Sequence, residues 1–444
     1  VARAYVLYRE ERRKLRAKTK AKRKSSPKMH ITTANGDKKP LDFDAMADLV
    51  HAACNNYPTT KAEIILNELE RNIFDGVHEK DLDQALVMSA RILIEREPEY
   101  TYVSAQLLLQ SIYKEVLQYY DLNKKNQPNT IDKTYALAFK CYIKKGIALD
   151  MLNPELAHFD LDLLAKALVP SRDKLFTYLG LQTLYDRYFL HDNDTRYELP
   201  QLFFMRVAMG LALNEIDRES RAIEFYHVLS SFDFMSSTPT LFNSGTCRSQ
   251  LSSCYLTTVS DDLDGIYEAI KENALLAKYA GGLGNDWTAV RAMGARIKGT
   301  NGKSQGVVPF LKVVSDTAVA VNQGGKRKGA VCAYLECWHL DIEEFLELRK
   351  NTGDDRRRTH DMNTATWIPD LFMKRVMEGG DWTLFSPSDV PDLHEKFGQK
   401  FEQAFLAYEE KAERGEIALY KRVPAVQLWR KMLSMLFETG HPWI

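Results

Sequence analysis

The sequence has little cysteine, no surplus of either charge and no long apolar run. Only six cysteines occur in 444 residues: Cys54, Cys141, Cys247, Cys254, Cys332 and Cys337. None forms a CxxC or a Cys/His metal spacing, so no metal site is read. Six is too few for a disulfide framework at this length, and a reducing cytoplasm is expected. Lys+Arg and Asp+Glu are 60 each, so no global basic field draws the chain to DNA. No apolar run reaches the ~18 residues of a membrane helix. The start, Val1–Arg16, lacks the apolar core and cleavage site of a signal peptide. It also lacks an initiator Met, and the stop at Gly440-His441-Pro442-Trp443-Ile444 is abrupt. Both ends read as cuts in a longer protein. No repeat period or low-complexity segment is found.

What remains is globular: 45% apolar and 27% charged residues, with length for two to four domains at roughly 100–200 residues each. Residues 1–28 read as a helix end and a basic tail running from Arg12 to Lys24, broken by Ser25, Ser26 and Pro27. Either a solvated linker or a phosphate-binding arm fits. A new unit begins with His30-Ile31-Thr32-Thr33 and the hairpin signal Asn35-Gly36. Pro40 and Asp42 open a helix with Met46, Leu49, Val50 and Cys54 at helical spacing. Residues 61–120 are helical. Residues 121–235 continue mostly helical, through Leu161–Leu168, Leu175–Tyr188 and Leu202–Leu213.

Near Phe232 the pattern changes. β-like runs (Val307–Val314, Ala330–Leu335, Trp382–Phe385) alternate with helical ones (Leu263–Ala280, Ile342–Arg349, Pro369–Met377). Such alternation predicts a parallel or mixed α/β sheet, whose ligands collect on loops beside strand ends.

Five stretches there are rich in chemistry. Ser236–Thr240 and Ser249–Leu256 are dense in hydroxyls around one thiol, Cys254. They suit either a polyhydroxylated ligand held against a redox group or a turn-rich loop with a core cysteine. Ser260 or Asp261 would cap the helix that follows; a carboxylate there also suits a ribose hydroxyl. Gly281-Gly282-Leu283-Gly284 with Arg291 and Arg296-Ile297-Lys298 combines free backbone with spaced cations, as phosphate sites do, or as surface charge does. Gln323-Gly324-Gly325-Lys326-Arg327 is a second glycine-cation loop, fit for approaching a base or simply a basic surface. Leu348–Asn363 is a charged loop between two helices, with Asn351–Gly353 a good helix stop; its His360 is expected to be structural.

The order of these pieces is specific. SSTPTLFNSGT (236–246), SQLSSCYL (249–256), AGGLGNDW (280–287), IKGTNGKSQGVVPF (297–310), VNQGGKRKGA (321–330), YLECWHLDIEEFLELRKNTGD (334–354), TATWIPDLFMKRV (364–376) and LFSPSDVP (384–391) follow one another. Together they resemble the N-terminal portion of the large, catalytic (alpha) subunit of class I ribonucleotide reductase. The strings run from about Phe234 to Pro391, with a looser likeness upstream.

The resemblance implies an α/β protein: a helical, ATP-cone-like N-terminal region followed by the first part of a ten-stranded α/β barrel. Residues 1–28 would be the end of a cone helix plus a linker, and 29–120 a divergent cone. Residues 121–235 would be a helical domain, and 236–444 the first half of the barrel. The family's nucleotide-binding cones carry Val-x-Lys-Arg before the hairpin. Here Ile31-Thr32-Thr33-Ala34 stands instead, which puts ATP binding by this cone in doubt.

Position by position, the resemblance makes Cys254 the catalytic reductant thiol. Thr238, Ser253, Gly281 and Gly282 would bind substrate. Asp261, Asp262, Leu263, Arg291 and Lys298 would bind the allosteric effector, Lys298 keeping a charge without the bidentate geometry of Arg. Gln323 and Arg327 would form the loop linking effector to substrate base. The helix 263–280 would be a homodimer interface, with the stripe Leu263, Ile266, Ile270, Ala274 and Ala277.

The implied reaction reduces ribonucleoside diphosphates by radical and thiol chemistry under dNTP and ATP control, with Mg2+ accompanying the nucleotides. No cofactor is held covalently. A separate metal-containing small (beta) subunit would supply the radical, and thioredoxin or glutaredoxin the electrons. The family's Asn-x-Cys-x-Glu run, which carries the radical cysteine, occurs nowhere in this sequence. It is expected in a downstream C-terminal part, so the chain alone is expected to be inactive. The alternatives are a non-catalytic nucleotide-binding regulatory or assembly fragment of a split reductase, and a class II enzyme using adenosylcobalamin.

Overall fold

The computed structural model describes residues 29–33, 36–122, 130–279, 281–321 and 329–444. The tail 1–28, Asn35 of the hairpin signal, Ala280, and Gln323 and Arg327 of the second glycine-cation loop lie outside the described residues. The chain divides into two compact units, Val1–Met235 and Ser236–Ile444.

The first unit opens with a hairpin, β1 (His30–Thr32) and β2 (Lys38–Pro40), paired antiparallel with Ile31 opposite Lys39. Gly36 turns it at φ 87°, a left-handed conformation that suits glycine. Helices α1 (Phe43–Cys54) and α2 (Ala62–Asn72) follow. Asp42 starts α1 by accepting from Ala45 N at 2.9 Å. Then come β3 (Val77–His78), which joins β1 in parallel, α3 (Glu79–Arg91) and the long α4 (Tyr100–Tyr119). The rest is α5 (Ile131–Ala148), α6 (Leu161–Ala167), α7 (Tyr178–Thr183), the short pair β4 (His191–Asp192) and β5 (Thr195–Arg196), α8 (Pro200–Ala212) and α9 (Arg218–Ser230). Helix α8 is apolar on nearly every side and is buried nearly throughout, as a central helix must be. The expected helix Leu175–Tyr188 is broken instead. A 3-10 turn ends at Leu175, α7 follows, and a wider π turn spans Leu184–Tyr188.

The second unit holds a four-stranded parallel sheet. Its strands are β6 (Cys254–Thr258), preceded by the short α10 (Thr238–Asn243), then β7 (Gly282–Asp286), which follows α11 (Leu263–Ala277). After β7 come the two-residue hairpin strands β8 (Arg296–Ile297) and β9 (Gly302–Lys303) and then α12 (Val308–Ala320). Strands β10 (Ala330–Glu336) and β11 (Asn363–Trp367) flank α13 (Ile342–Phe345). The order is β11-β10-β7-β6, with Cys254 level with Gly282, and Gly282 with Ala330. Helix α14 (Asp370–Glu378), β12 (Asp381–Phe385), α15 (Gly398–Glu413), β13 (Tyr420–Pro424) and α16 (Ala425–Thr439) complete the unit, β12 and β13 pairing antiparallel.

Side chains alternate across the sheet. Leu283, Val331, Ala333 and Leu335 face a core that includes Trp287, Trp338 and Trp382, all fully buried. The opposite face, with Cys254, Leu256, Thr258, Tyr334 and Trp367, is open; Leu256 is 79% exposed and Trp367 64%.

Several expectations need correction. Val307–Val314 is the start of helix α12, not a strand. Pro309 fits a first helical turn, and Val308, Leu311, Val314 and Ala318 bury one face at helical spacing, so packing overrides the β preference of the valines. The run Ile342–Arg349 is helical only to Phe345, and turns follow. Neither Ser260 nor Asp261 caps α11. Asp262 does, accepting from Gly265 N at 2.8 Å, because the Asp261 carboxylate is engaged elsewhere. In the α11 stripe, Ile266, Ile270 and Ala277 pack into this unit's own core, whereas Leu263, Tyr267 and Leu275 point outward. Among the described residues no helix is long and apolar enough to cross a membrane.

Candidate active and effector sites

Cys254 is the first residue of β6 and its thiol is exposed on the open face. Its Sγ lies 3.9 Å from Ser253 Oγ. The neighbouring strand enters level with it, Gly282 N donating to Ser253 O at 2.7 Å. Gly281 must be glycine here, since a Cβ would sit 2.9 Å from Tyr255 Cε2 and 3.2 Å from Leu276 O. Thr238 opens α10, which is tied to the segment before β6: Thr240 Oγ1 donates to Leu251 O (3.0 Å) and Asn243 Nδ2 to Gln250 O (2.7 Å). Gln250 Nε2 donates on to Tyr279 O at 3.2 Å. These bonds bring Thr238, Ser253, Cys254, Gly281 and Gly282 to one end of the sheet.

Further along the open face, towards the strands' C-terminal ends, lies a groove of about 520 Å3 lined by Leu256, Gly284 and Tyr334. At its far end three residues form a cluster that sequence reading missed. His394 Nδ1 is 2.5 Å from Glu336 Oε1, and its Nε2 is 2.9 Å from Asp286 Oδ2. Hydrogen bonds to these two carboxylates push the His394 pKa up to about 10, so the ring is an imidazolium cation at neutral pH. Burial pushes Asp286 up, but bonds from His394 and Thr288 outweigh it and hold its carboxyl below the usual range. Burial dominates at Glu336 and raises it despite His394 and Trp338. Cys332 and Tyr334 were also missed; burial pushes the Cys332 thiol up to about 11. The period-2 spacing of Cys332, Tyr334 and Glu336 was the available signal.

The residues expected to bind an effector fall into two groups. Asp261 and Arg291 meet: Arg291 Nε donates to Asp261 Oδ1 (3.0 Å) and Oδ2 (2.9 Å), and Arg291 N to Oδ1 (2.9 Å). Arg291 Nη1 also donates to Arg296 O at 2.9 Å. Asp262 serves as the helix cap, with the bond from Gly265 N lowering its carboxyl pKa. Leu263 is exposed beside it, and Lys298 is exposed in the turn between β8 and β9. The structure thus places a carboxylate, an arginine and a cationic hairpin together after β6 and β7.

Two family models match the chain: "Ribonucleotide reductase, all-alpha domain" over residues 174–249 and "Ribonucleotide reductase, barrel domain" over residues 252–444. The chain belongs to the ribonucleotide reductase large-subunit family. The ribonucleoside-diphosphate reductase subunit alpha of Chlamydia muridarum (strain MoPn / Nigg) is 54% identical over 450 residues, covering 100% of this chain and 42% of that protein. The subunit alpha of Helicobacter pylori (strain J99 / ATCC 700824) is 40% identical, covering 93% of this chain and 51% of that protein. The ribonucleoside-diphosphate reductase large subunit of Danio rerio is 35% identical, covering 94% and 51%. The chain therefore spans about half the length of the curated relatives it matches. The matched region reaches further on both sides than the strings from Phe234 to Pro391, because the barrel match runs on to Ile444 and the all-alpha match begins at Lys174.

Proposed function

We propose that this chain supplies the reductant thiol, part of the substrate cradle and the effector site of a ribonucleoside-diphosphate reductase large subunit. The observation that carries this reading is the exposed Cys254 at the head of β6, beside the close-packed Gly281 and Gly282 and the tethered α10. A thiol there suits the reduction of a ribose. The C2′–O bond breaks and the hydroxyl leaves as water. C2′ gains hydrogen, and Cys254 with a second thiol becomes a disulfide, which thioredoxin or glutaredoxin reduces. Thr238 and Ser253 orient the diphosphate and ribose. A partner beta subunit provides the radical, as the relatives' names, subunit alpha and large subunit, suggest by implying a further subunit.

Asp261, Asp262, Leu263, Arg291 and Lys298 hold a deoxynucleoside triphosphate with Mg2+, and Gln323 and Arg327 relay its identity to the substrate base. Arg291 is paired with Asp261, so binding an effector exchanges a carboxylate for a phosphate at Arg291. The outward side chains of α11, Leu263, Tyr267 and Leu275, form the homodimer contact. The protein works in the cytoplasm.

The test is turnover of ribonucleoside diphosphate by the subunit with its radical-generating partner and a dithiol. Cys254→Ser should abolish it, and Asp261→Ala should abolish deoxynucleotide binding. Turnover that survives Cys254→Ser would remove the role given to this thiol. Cobalamin-dependent turnover without a partner would favour the class II reading. Effector binding without turnover in any reconstitution would favour a regulatory or assembly fragment.

A further inference from the structure

Two of the ordered strings, Tyr334–Asp354 and Leu384–Pro391, contain residues to which the proposed chemistry gives no task. Their side chains converge on the backbone that carries Arg291. Val290 O meets His339 Nε2 at 2.9 Å. Ala292 N donates to Ser386 Oγ at 3.2 Å. Met293 N donates to Asp341 Oδ1 at 2.9 Å, and Val307 N to Asp341 Oδ2 at 3.0 Å. With Arg291 N held by Asp261, four consecutive residues are each gripped by a different side chain. Asp341 also spans the whole excursion, taking one amide before the β8–β9 hairpin and one after it.

The socket is built for this. His339 and Ser386 are fully buried and Asp341 is 5% exposed. Asp341 N donates to His339 Nδ1 at 3.0 Å, which fixes the tautomer: Nε2 carries the proton and donates to Val290 O. The two strings are zipped together where Leu340 N donates to Phe385 O and Phe385 N to Trp338 O, both at 2.8 Å. Gly306 sits at φ 74°, and a Cβ there would lie 2.2 Å from Asp341 Oδ2. The Gly306-Val307 turn therefore fits only around that carboxylate.

Resting on the effector reading above, we propose that His339, Asp341 and Ser386 are positioning residues for the effector triphosphate. They hold the Val290–Met293 backbone and both ends of the β8–β9 hairpin, so that Arg291 and Lys298 meet the anion preorganised. None of the three touches the ligand.

The experiment is calorimetric binding of dTTP and dATP with Mg2+ to the whole chain, with amide hydrogen exchange read in the same preparations. Asp341→Asn should weaken binding about tenfold, roughly the effect of one lost hydrogen bond. It should also speed exchange at Met293 and Val307 while Cys332 and Tyr334 in β10 keep their protection. Asp341→Glu, which keeps both acceptor oxygens, should recover part of the affinity. If Asp341→Asn does not fold, Ser386→Ala removes a single acceptor and should show a smaller loss, with faster exchange at Ala292. Unchanged affinity in a folded Asp341→Asn would overturn the proposal, as would unchanged exchange at Met293 and Val307. Wild-type chain that binds neither nucleotide would overturn the effector reading and this proposal together. In that case faster exchange in Asp341→Asn would leave the socket as a brace for the hairpin alone.

Discussion

The two units bury polar groups to different ends. In the helical unit, the buried charged side chains mostly meet other side chains. Asp173 accepts from Tyr113 and Tyr135, both at 2.5 Å, and from Gln201 at 2.7 Å. Glu198 accepts from Tyr142 at 2.6 Å, Arg206 Nε at 2.7 Å and Leu190 N at 2.7 Å. In the barrel unit, His339, Asp341 and Ser386 serve backbone instead. Helices satisfy their own amides, so polar groups between them are free to pair. The chain between β7 and α12 is mostly irregular and is buried at both ends, so the amides there need side chains. The first arrangement fastens helices to one another. The second holds a loop still, which is what a binding site on a loop needs.

The comparison makes its largest prediction at Arg206. Arg206 and Glu198 are both fully buried. Arg206→Met leaves a carboxylate without its cation, which should cost about 3–5 kcal/mol in urea unfolding followed by tyrosine fluorescence. Adding Glu198→Leu should recover only part of that loss, since it removes the unpaired charge but leaves Tyr142 OH and Leu190 N without their acceptor. A single mutant within about 1 kcal/mol of wild type would mean that the pair is not what fastens these helices.

Asp173 adds a pH dependence. Burial dominates over the bonds from Tyr113, Tyr135 and Gln201, raising its carboxyl from 3.8 to about 6. The folded state therefore takes up a proton at higher pH than the unfolded chain does. Its ionisation weakens the fold as pH rises from about 4 through 6, by on the order of 3 kcal/mol, and the effect is absent below 4. Asp173→Asn cannot ionise. The stability of wild type relative to Asp173→Asn should therefore be greater at pH 4 than at pH 7. A difference that stays flat across that range would contradict the assignment.

What was legible in the sequence was local or carried by long strings. The hairpin at Gly36, the cap region of α1, the strand Ala330–Leu335 and the thiol heading β6 all follow from neighbours in the chain. The resemblance carried by the ordered strings also brought Asp261 to Arg291, 30 residues apart. Two kinds of feature were hidden. Val307–Val314 reads as strand because valine favours sheets, and only burial against the core turns it into a helix. The socket was invisible because its partners lie 48, 49 and 94 residues apart. The Asp286–His394–Glu336 cluster likewise spans 58 residues between His394 and Glu336. No periodicity encodes contacts of that range.

The barrel unit also has side-chain nodes built in the helical unit's manner, and one of them sharpens the contrast. Arg375 Nη1 and Nη2 grip Glu409 Oε1 and Oε2 at 2.6 and 2.5 Å, while Thr383 Oγ1 donates to Oε1 at 2.5 Å. The side chains are 17% and 11% exposed, so some solvent screening remains. Arg375→Lys keeps the charge and loses the fork. The expected cost is about 1–2 kcal/mol in thermal or urea unfolding, with effector binding unchanged because the node lies off the socket. A loss of effector affinity would show that the two kinds of node are not separable.

The smallest effect is expected beside the segment read as a divergent cone, residues 29–120. Beside β1 and the start of α3 lies a cavity of about 780 Å3, lined by Glu79, Asp81, Asp83, Glu115 and Asp194 with only Lys80 and Lys114 as cations. Lys114 is already spent on Glu79 (3.0 Å) and Asp83 (2.9 Å), and its bond holds the Glu79 carboxyl below its usual range against burial. Five carboxylates against two lysines repel a triphosphate. Lys114→Ala should thus leave the stoichiometry and affinity of ATP and dATP binding unchanged. It should cost no more than about 1 kcal/mol, because the pair is a solvated one. A lost nucleotide-binding event in Lys114→Ala would make this cavity a nucleotide site after all. The Ile31-Thr32-Thr33-Ala34 departure would then be a change of ligand contacts, with binding retained.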